Sequence, residues 1–360
     1  IVLFLITPLL NNTAQMSNKY FSRSLNKPGH DNTNGLSIGM NTNGRYAICG
    51  DTKDSLTQHW RSYFAQVDQY GNLSSFTDFP DSIYGCVARD LVITEDGIFG
   101  AGFADNSEML TQSYIVRSDT AGSLVSYGIP EVQTFVNSTY TACRTHDGGF
   151  LLGGECQPLA VSPPGQTNNT HPYLIRLDSQ GNFLWDTIYY QYGNPYAWFM
   201  GMTPSPDGDG YLITGSLNNN KASAGDILFL KIDELGSILW DKVLDYNHYC
   251  VGNHITPTLD KGYLLTSARR VNYLEINSVL TKLDSNLIEE WHVIDYFGGG
   301  VAGRGAVQLN DGNYVLAGTI QTSPSDDLEG VFVKIRGSDG GLLWRHTYDQ
   351  AGFDDYAYDM

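Results

Sequence analysis

Along most of this chain apolar and polar residues alternate with a period of two in short runs, and glycine-bearing turns bound each run. One phrase recurs: an Asp-Gly or Asn-Gly turn, an alternating apolar run, and then Gly or another small residue. It stands as Asn43-Gly44 before RYAICG, Asp96-Gly97 before IFGAG, Asp147-Gly148-Gly149 before FLLGG and Asp209-Gly210 before YLITG. It returns as Asp260-Lys261-Gly262 before YLLTS and Asp311-Gly312-Asn313 before YVLAG. The copies lie roughly fifty to sixty residues apart, the spacing of a repeat architecture.

A second phrase follows each first one: a strand ending in Asp, Gly three residues on, and usually Trp four after the Gly. Its copies are YFAQVDQYGNLSSF from Tyr63, YIVRSDTAGSLVSY from Tyr114, YLIRLDSQGNFLW from Tyr173 and LFLKIDELGSILW from Leu228. VLTKLDSNLIEEW from Val279 puts Asn286-Leu287 in place of the Gly, and VFVKIRGSDGGLLW from Val331 turns on Asp339-Gly340. Trp185, Trp240, Trp291 and Trp344 therefore mark equivalent places.

Each phrase reads as a hairpin, because Asp-Gly and Asn-Gly reach the positive φ that tight turns need. In one unit, strand a spans Ala197 to Thr203, b Tyr211 to Gly215, c Ile227 to Asp233 and d Ile238 to Val243. Four antiparallel strands in about fifty residues make one propeller blade. An open stack of such units would leave sheets uncovered, so a ring is favoured. The expected fold is all-β: a β-propeller of six full four-stranded blades with partial ones at both ends, seven or more in the intact protein. Lys19 to Leu25 has the look of an incoming strand d and Asp354 to Met360 that of a strand a, so residues 19–360 are read as one propeller domain truncated at its C-terminus.

Composition sharpens this reading. Gly (39) and Tyr (23) are abundant and charged residues make up 17%, a mixture suited to short strands rather than long helices. A net charge of −18 speaks against nucleic acid as partner, since phosphate is held chiefly by Lys and Arg, and against docking on an anionic membrane. Ile1 to Leu10 is apolar but too short to span a bilayer, and with the polar residues up to Ala14 it reads as a partial signal peptide, residues 1–14. The other reading of that run is a buried first strand. No membrane insertion is expected elsewhere. The five cysteines (Cys49, Cys86, Cys143, Cys156 and Cys250) fit no zinc spacing; one or two disulfides or buried thiols both suit them.

The series DGGFLLGG, YLIRLDSQGNFLW and a Gly/Tyr/Asp-rich link resembles the secreted bacterial propeller-like repeat proteins, many of them cargo of the type IX secretion system. The resemblance runs from Lys19 to Met360 and implies export to the cell surface or medium. Members commonly carry a C-terminal sorting domain, expected here to be missing through truncation at Met360, and most have no established activity. Quinoprotein-type propellers share the Asp, Gly and Trp spacing of Asp178, Gly181 and Trp185, where the Trp docks blades; the sialidase Asp-box spacing does not match.

Candidate chemistry is sparse. Asp68, Asp119, Asp178, Asp233 and Asp284 could suggest metal ligands or paired glycosidase carboxylates, but one per blade at the same turn is better read as fixing that turn. Asp207-Gly208-Asp209-Gly210 lacks the remaining ligands of a calcium loop, and the eight His form no ligand pair. No nucleophile elbow, P-loop or dinucleotide fingerprint occurs. No catalytic residue, metal or cofactor is assigned. The d-to-a and b-to-c links share one face of a propeller, and there Tyr192, Tyr196, Trp198, His248, Tyr249, Arg304, Asp355 and Tyr356 form the candidate binding set. The expected function is a monomeric, non-catalytic extracellular or cell-surface module that binds a glycan or protein. The alternative is a secreted polysaccharide hydrolase or lyase on the same scaffold. The segment Glu155 to His171 reads as a long exposed b-to-c loop.

Overall fold

A computed structural model of the chain describes residues 2–4, 22–24, 30–41, 43–57, 59–79, 85–105, 110–130, 135–158, 170–192, 196–221, 224–245, 249–272, 275–294, 303–320 and 329–348. Strands β1 (Val2–Phe4) and β2 (Ser22–Ser24) pair antiparallel in a small sheet of their own. Ser22–Ser24, inside the segment read as an incoming outer strand, is thus a strand whose partner is β1; Asp354 to Met360 lies outside the described residues.

The remaining strands form six four-stranded antiparallel sheets, each in chain order, arranged as a β-propeller. Blade 1 holds β3 (His30–Met40), β4 (Tyr46–Asp54), β5 (Trp60–Val67) and β6 (Leu73–Asp78). Blade 2 holds β7 (Gly85–Thr94), β8 (Gly97–Asp105), β9 (Thr111–Asp119) and β10 (Leu124–Gly128). Blade 3 holds β11 (Phe135–Arg144), β12 (Phe150–Pro158), β13 (His171–Leu177) and β14 (Phe183–Ile188). Blade 4 holds β15 (Tyr196–Pro204), β16 (Tyr211–Lys221), β17 (Ala224–Ile232) and β18 (Ile238–Leu244). Blade 5 holds β19 (Tyr249–Pro257), β20 (Tyr263–Asn272), β21 (Glu275–Leu283) and β22 (Glu289–Ile294). Blade 6 holds β23 (Gly303–Gln308), β24 (Tyr314–Ile320), β25 (Glu329–Ile335) and β26 (Leu342–Tyr348). In blade 4 the β16–β17 hairpin runs past Gly215 as far as the pair Lys221↔Ala224, longer than the apolar alternation indicates.

The turns follow from local chemistry. In the c-to-d turns the repeated Asp accepts two backbone N–H bonds through one oxygen. Asp178 Oδ1 takes Gln180 N at 2.9 Å and Asn182 N at 2.8 Å, and Asp233 Oδ1 takes Leu235 N at 2.9 Å and Ser237 N at 2.8 Å. Asp68, Asp119 and Asp284 repeat the arrangement. These carboxylates fix turns and are spread around the molecule. The residue three after each Asp adopts positive φ: Gly71, Gly122, Gly181, Gly236 and, in blade 5, Leu287 at 57°. The a-to-b turns of blades 1 and 3 to 6 use the same geometry, with Gly208 (φ 72°) three after Ser205 in blade 4, where Gly210 is also at positive φ, and Lys261 (φ 66°) in blade 5.

Successive blades pack through strand a, which lies across strands a, b and c of the blade before it, from β7 on β3–β5 through to β23 on β19–β21. Apolar layers fill these interfaces, such as Leu174, Phe199, Tyr211 and Leu228 between blades 3 and 4. The repeated Trp belongs here. A Cβ on Gly236 would sit 2.8 Å from the Trp185 ring, so the outer strand of blade 3 presses its indole onto the c-to-d turn of blade 4. Trp240 and Trp291 pack into the layers on either side of blade 5. Hydrogen bonds reinforce the contact: Thr77 Oγ1 donates to Gly122 O, Tyr189 Oη to Gly236 O and Lys242 Nζ to Leu287 O, each at 2.8 Å.

Candidate functional site

Every strand a carries a β-bulge at the same place in its blade, and β3 has a second irregularity between His30 and Asn32. The extra residue is Leu36, Arg89, Tyr140, Met200, Asn253 or Arg304 in blades 1 to 6. The bulge explains the small residue that ends the first sequence phrase. A Cβ on Gly50, Gly102 or Gly154 would lie 1.8 Å from the carbonyl oxygen of Asn34, Val87 or Ser138, so strand b of blades 1 to 3 offers glycine there, whereas blade 5 accommodates Ser267. A bulge re-aims the side chain it carries, and bulges gather beside binding and catalytic sites. The residue after that glycine differs from blade to blade: Asp51, Phe103, Glu155, Ser216, Ala268 and Thr319.

In blades 1 to 3 these two series meet in the half of the sheets nearer the b-to-c and d-to-a links, here the upper half. Arg89 lies over the Phe103 ring, its guanidinium carbon 5.4 Å from the centroid, a cation–π contact. Tyr140 of the next blade meets Phe103 edge-on, at 6.3 Å between centroids and 87° between planes. The Tyr140 hydroxyl donates to Glu155 Oε1 at 2.6 Å, and Asn34 Nδ2 donates to Asp51 Oδ2 at 3.0 Å. Behind them Asp90 accepts from Ser37 Oγ at 3.0 Å, Leu91 N at 2.8 Å and Ala142 N at 2.8 Å, tying the inner strands of three blades and fixing the backbone beside Arg89.

The electrostatics of this cluster are unusual for the molecule. Asp51 is 7% exposed; burial pushes its carboxyl up to about 6, against the lowering effects of Asn34 and the Arg89 charge. Burial also raises Glu155, opposed by the bond from Tyr140, and raises the Tyr140 hydroxyl, whose proton Glu155 further holds in place. Arg89 Nε is inaccessible to solvent and has no hydrogen-bond partner, and no carboxylate lies within ion-pair distance of the guanidinium among the described residues. A buried guanidinium N–H without an acceptor costs free energy unless something else supplies one. The cluster can therefore offer a cationic fork, an aromatic face and several oxygen acceptors.

The residues expected from sequence are placed as follows. Tyr196 and Trp198 lie in β15 itself, Tyr196 exposed and Trp198 half-buried. Tyr192 ends a single 3-10 turn (Tyr190–Tyr192) and packs with Trp185 against the layer between blades 3 and 4, its hydroxyl bonded to Asp241. Arg304 is the bulge residue of blade 6, the counterpart of Arg89, and Tyr249 begins β19; their side chains lie outside the described residues. His248, Asp355 and Tyr356 lie outside them altogether. Glu155, taken with the long loop, belongs to β12. Asp51, Phe103, Arg89 and Tyr140 were missed.

Other polar groups serve the scaffold. The a-to-b turn Asp pairs with a basic residue of strand c in four blades: Arg176–Asp147, Lys231–Asp209, Lys282–Asp260 and Lys334–Asp311. Asp207 and Asp209, in the run resembling a calcium loop, face Lys261 (3.7 Å) and Lys231 (2.5 Å). All five cysteines are buried and none is in a disulfide. Burial raises Cys143, Cys156 and Cys250, the last two to about 12. No helix among the described residues is long and apolar enough to cross a membrane.

No protein-family model matches the chain, and no curated protein matches it. Among solved structures it is similar to a Dyadobacter fermentans protein of unknown function, with a TM-score of 0.53 at 14% identity over 86% of this chain and 100% of that one. It is also similar to puromycin hydrolase, with a TM-score of 0.57 at 10% identity over 91% of this chain and 48% of the other. At these identities the likeness shows the propeller fold alone, and the chain spans about half the length of the hydrolase.

Proposed function

We propose that this chain is an exported, non-catalytic binding propeller that holds a glycan in the upper half of blades 1 to 3. The observation that carries the reading is a division of labour. The residues that repeat from blade to blade, the turn Asp, the Trp and the strand-b Gly, are consumed by the scaffold. The residues that differ bring Asp51, Arg89, Phe103, Tyr140 and Glu155 together. Aromatic edges beside hydrogen-bonding oxygens suit a ring rich in hydroxyls. Export rests on the sequence resemblance, and buried thiols with raised pKa values are compatible with an oxidising compartment, since the reactive form is the thiolate.

A second reading, a polysaccharide-cleaving enzyme, is favoured by one contact: the Tyr140 hydroxyl on Glu155 at 2.6 Å, an acid–base pair near a second perturbed carboxyl. A glycan array combined with product analysis by mass spectrometry separates the two. Binding without new chain ends supports the binding module. Turnover that Glu155→Gln abolishes overturns it in favour of the enzyme, and binding to no glycan sinks both.

A further inference from the structure

We infer that Arg89 is an anchor for a carboxylate, so that the ligand of this site is a uronic-acid-bearing oligosaccharide. The inference rests on the glycan-binding reading above and goes beyond it in ligand class. Arg89 is the one bulge residue with a described cationic side chain. Asp90 locks the backbone next to it to the neighbouring blades, and Phe103 supports the guanidinium from one side. An arginine built into a structural pair would be spent on a carboxylate of the protein, as Arg176 is on Asp147. Arg89 makes no such pair among the described residues, and its Nε–H is shielded from water with no acceptor. A planar fork held in this way fits a ligand carboxylate in two parallel bonds.

The neighbours select a sugar over a peptide terminus. Asp51, Glu155 and the Asn34 carboxamide offer oxygen acceptors, which match hydroxyl donors, whereas an extended peptide needs donors and acceptors in alternation. The net charge of −18 would repel an acidic ligand at a distance, but at physiological salt it is screened beyond about 8 Å. A contact at hydrogen-bonding distance is decided by the fork.

The test uses the full chain and calorimetric titration with tetrasaccharides of galacturonate, guluronate and glucuronate, each beside its carboxyl-reduced, neutral counterpart. One uronide is expected to bind about ten- to a hundredfold tighter than its reduced form, the range of a charge-assisted bond. Arg89→Gln is expected to erase that difference, so that the acidic and reduced forms bind alike. Should Arg89→Gln fail to fold, Arg89→Lys keeps the charge without the fork and is expected to weaken the uronide about tenfold. Equal binding of acidic and reduced forms overturns the carboxylate anchor but leaves the glycan reading standing. Binding of neither form overturns both, and a peptide bound through its C-terminal carboxylate in an Arg89-dependent way overturns the choice of sugar.

Discussion

Leu287 and Lys261 share a backbone conformation that L-residues adopt at a cost, yet their surroundings give opposite expectations. Lys261 is exposed, and its pairing with Asp207 at 3.7 Å is too weak to matter. Lys261→Gly is therefore expected to stabilise the protein by about 1 kcal/mol through relief of left-handed strain. Leu287 is 2% exposed and packs in the layer between blades 4 and 5. Leu287→Gly gains the same relief but loses a buried leucine worth about 2–5 kcal/mol, so it is expected to destabilise. Urea unfolding of the two variants checks the signs; two shifts in the same direction would contradict the packing assigned to Leu287.

Titration at the same scale has a definite sign. Asp260, penalised by partial burial but bonded by Lys282 and Thr258, lies at about 2, and Asp311, bonded by Lys334, also lies at about 2. Both are depressed from an unfolded value of about 4. Their stabilisation is present above that pH and is lost as pH falls from about 4 to about 2. Asp51 runs the other way: its raised folded value means that stability falls as pH rises from about 4 to about 6. Melting temperatures across pH 2–7 should fall steeply at the acid end. Asp51→Asn should remove the loss on the neutral side, and an unchanged profile would show that Asp51 is not buried as described.

At the scale of the strand, the bulge and its facing glycine form one device. Gly154→Ala would place a methyl carbon 1.8 Å from Ser138 O, and no rotamer change can move a backbone carbonyl. The expected loss is about 3 kcal/mol or more, at the upper end of overpacking. Gly128, with nothing within 4 Å of a built Cβ, is the control and should tolerate Ala within about 0.5 kcal/mol. Equal effects of the two substitutions on thermal unfolding would remove the bulge as the reason for the repeated glycine.

How much of this the sequence discloses follows from what each feature depends on. The turn aspartates were legible because the hydrogen bonds they make lie within four residues. The interblade Trp was legible because it recurs in phase with the turns. Arg89 was not, since a bulge in strand a has no residue signature: Leu36, Arg89, Tyr140, Met200, Asn253 and Arg304 share no chemistry. A signal was nonetheless present in the facing strand. Comparing only the residue after each repeated small residue isolates Asp51, Phe103 and Glu155 from Ser216, Ala268 and Thr319. Tyr192 is an aromatic residue in a variable link that the structure packs against an interblade layer, a contact the local pattern does not encode.

For the molecule as a whole, six sheets are held by layers between neighbours, so stability and binding should separate cleanly by position. The direct test measures melting temperature and uronide affinity together for a scaffold variant, Asp178→Ala, and a site variant, Arg89→Gln. Asp178→Ala should lower the melting temperature and leave the affinity of the folded protein unchanged. Arg89→Gln should weaken binding about tenfold or more with little change in melting temperature. Loss of ligand by folded Asp178→Ala protein, together with undiminished binding by Arg89→Gln, would contradict the assignment of repeated residues to scaffold and differing residues to function.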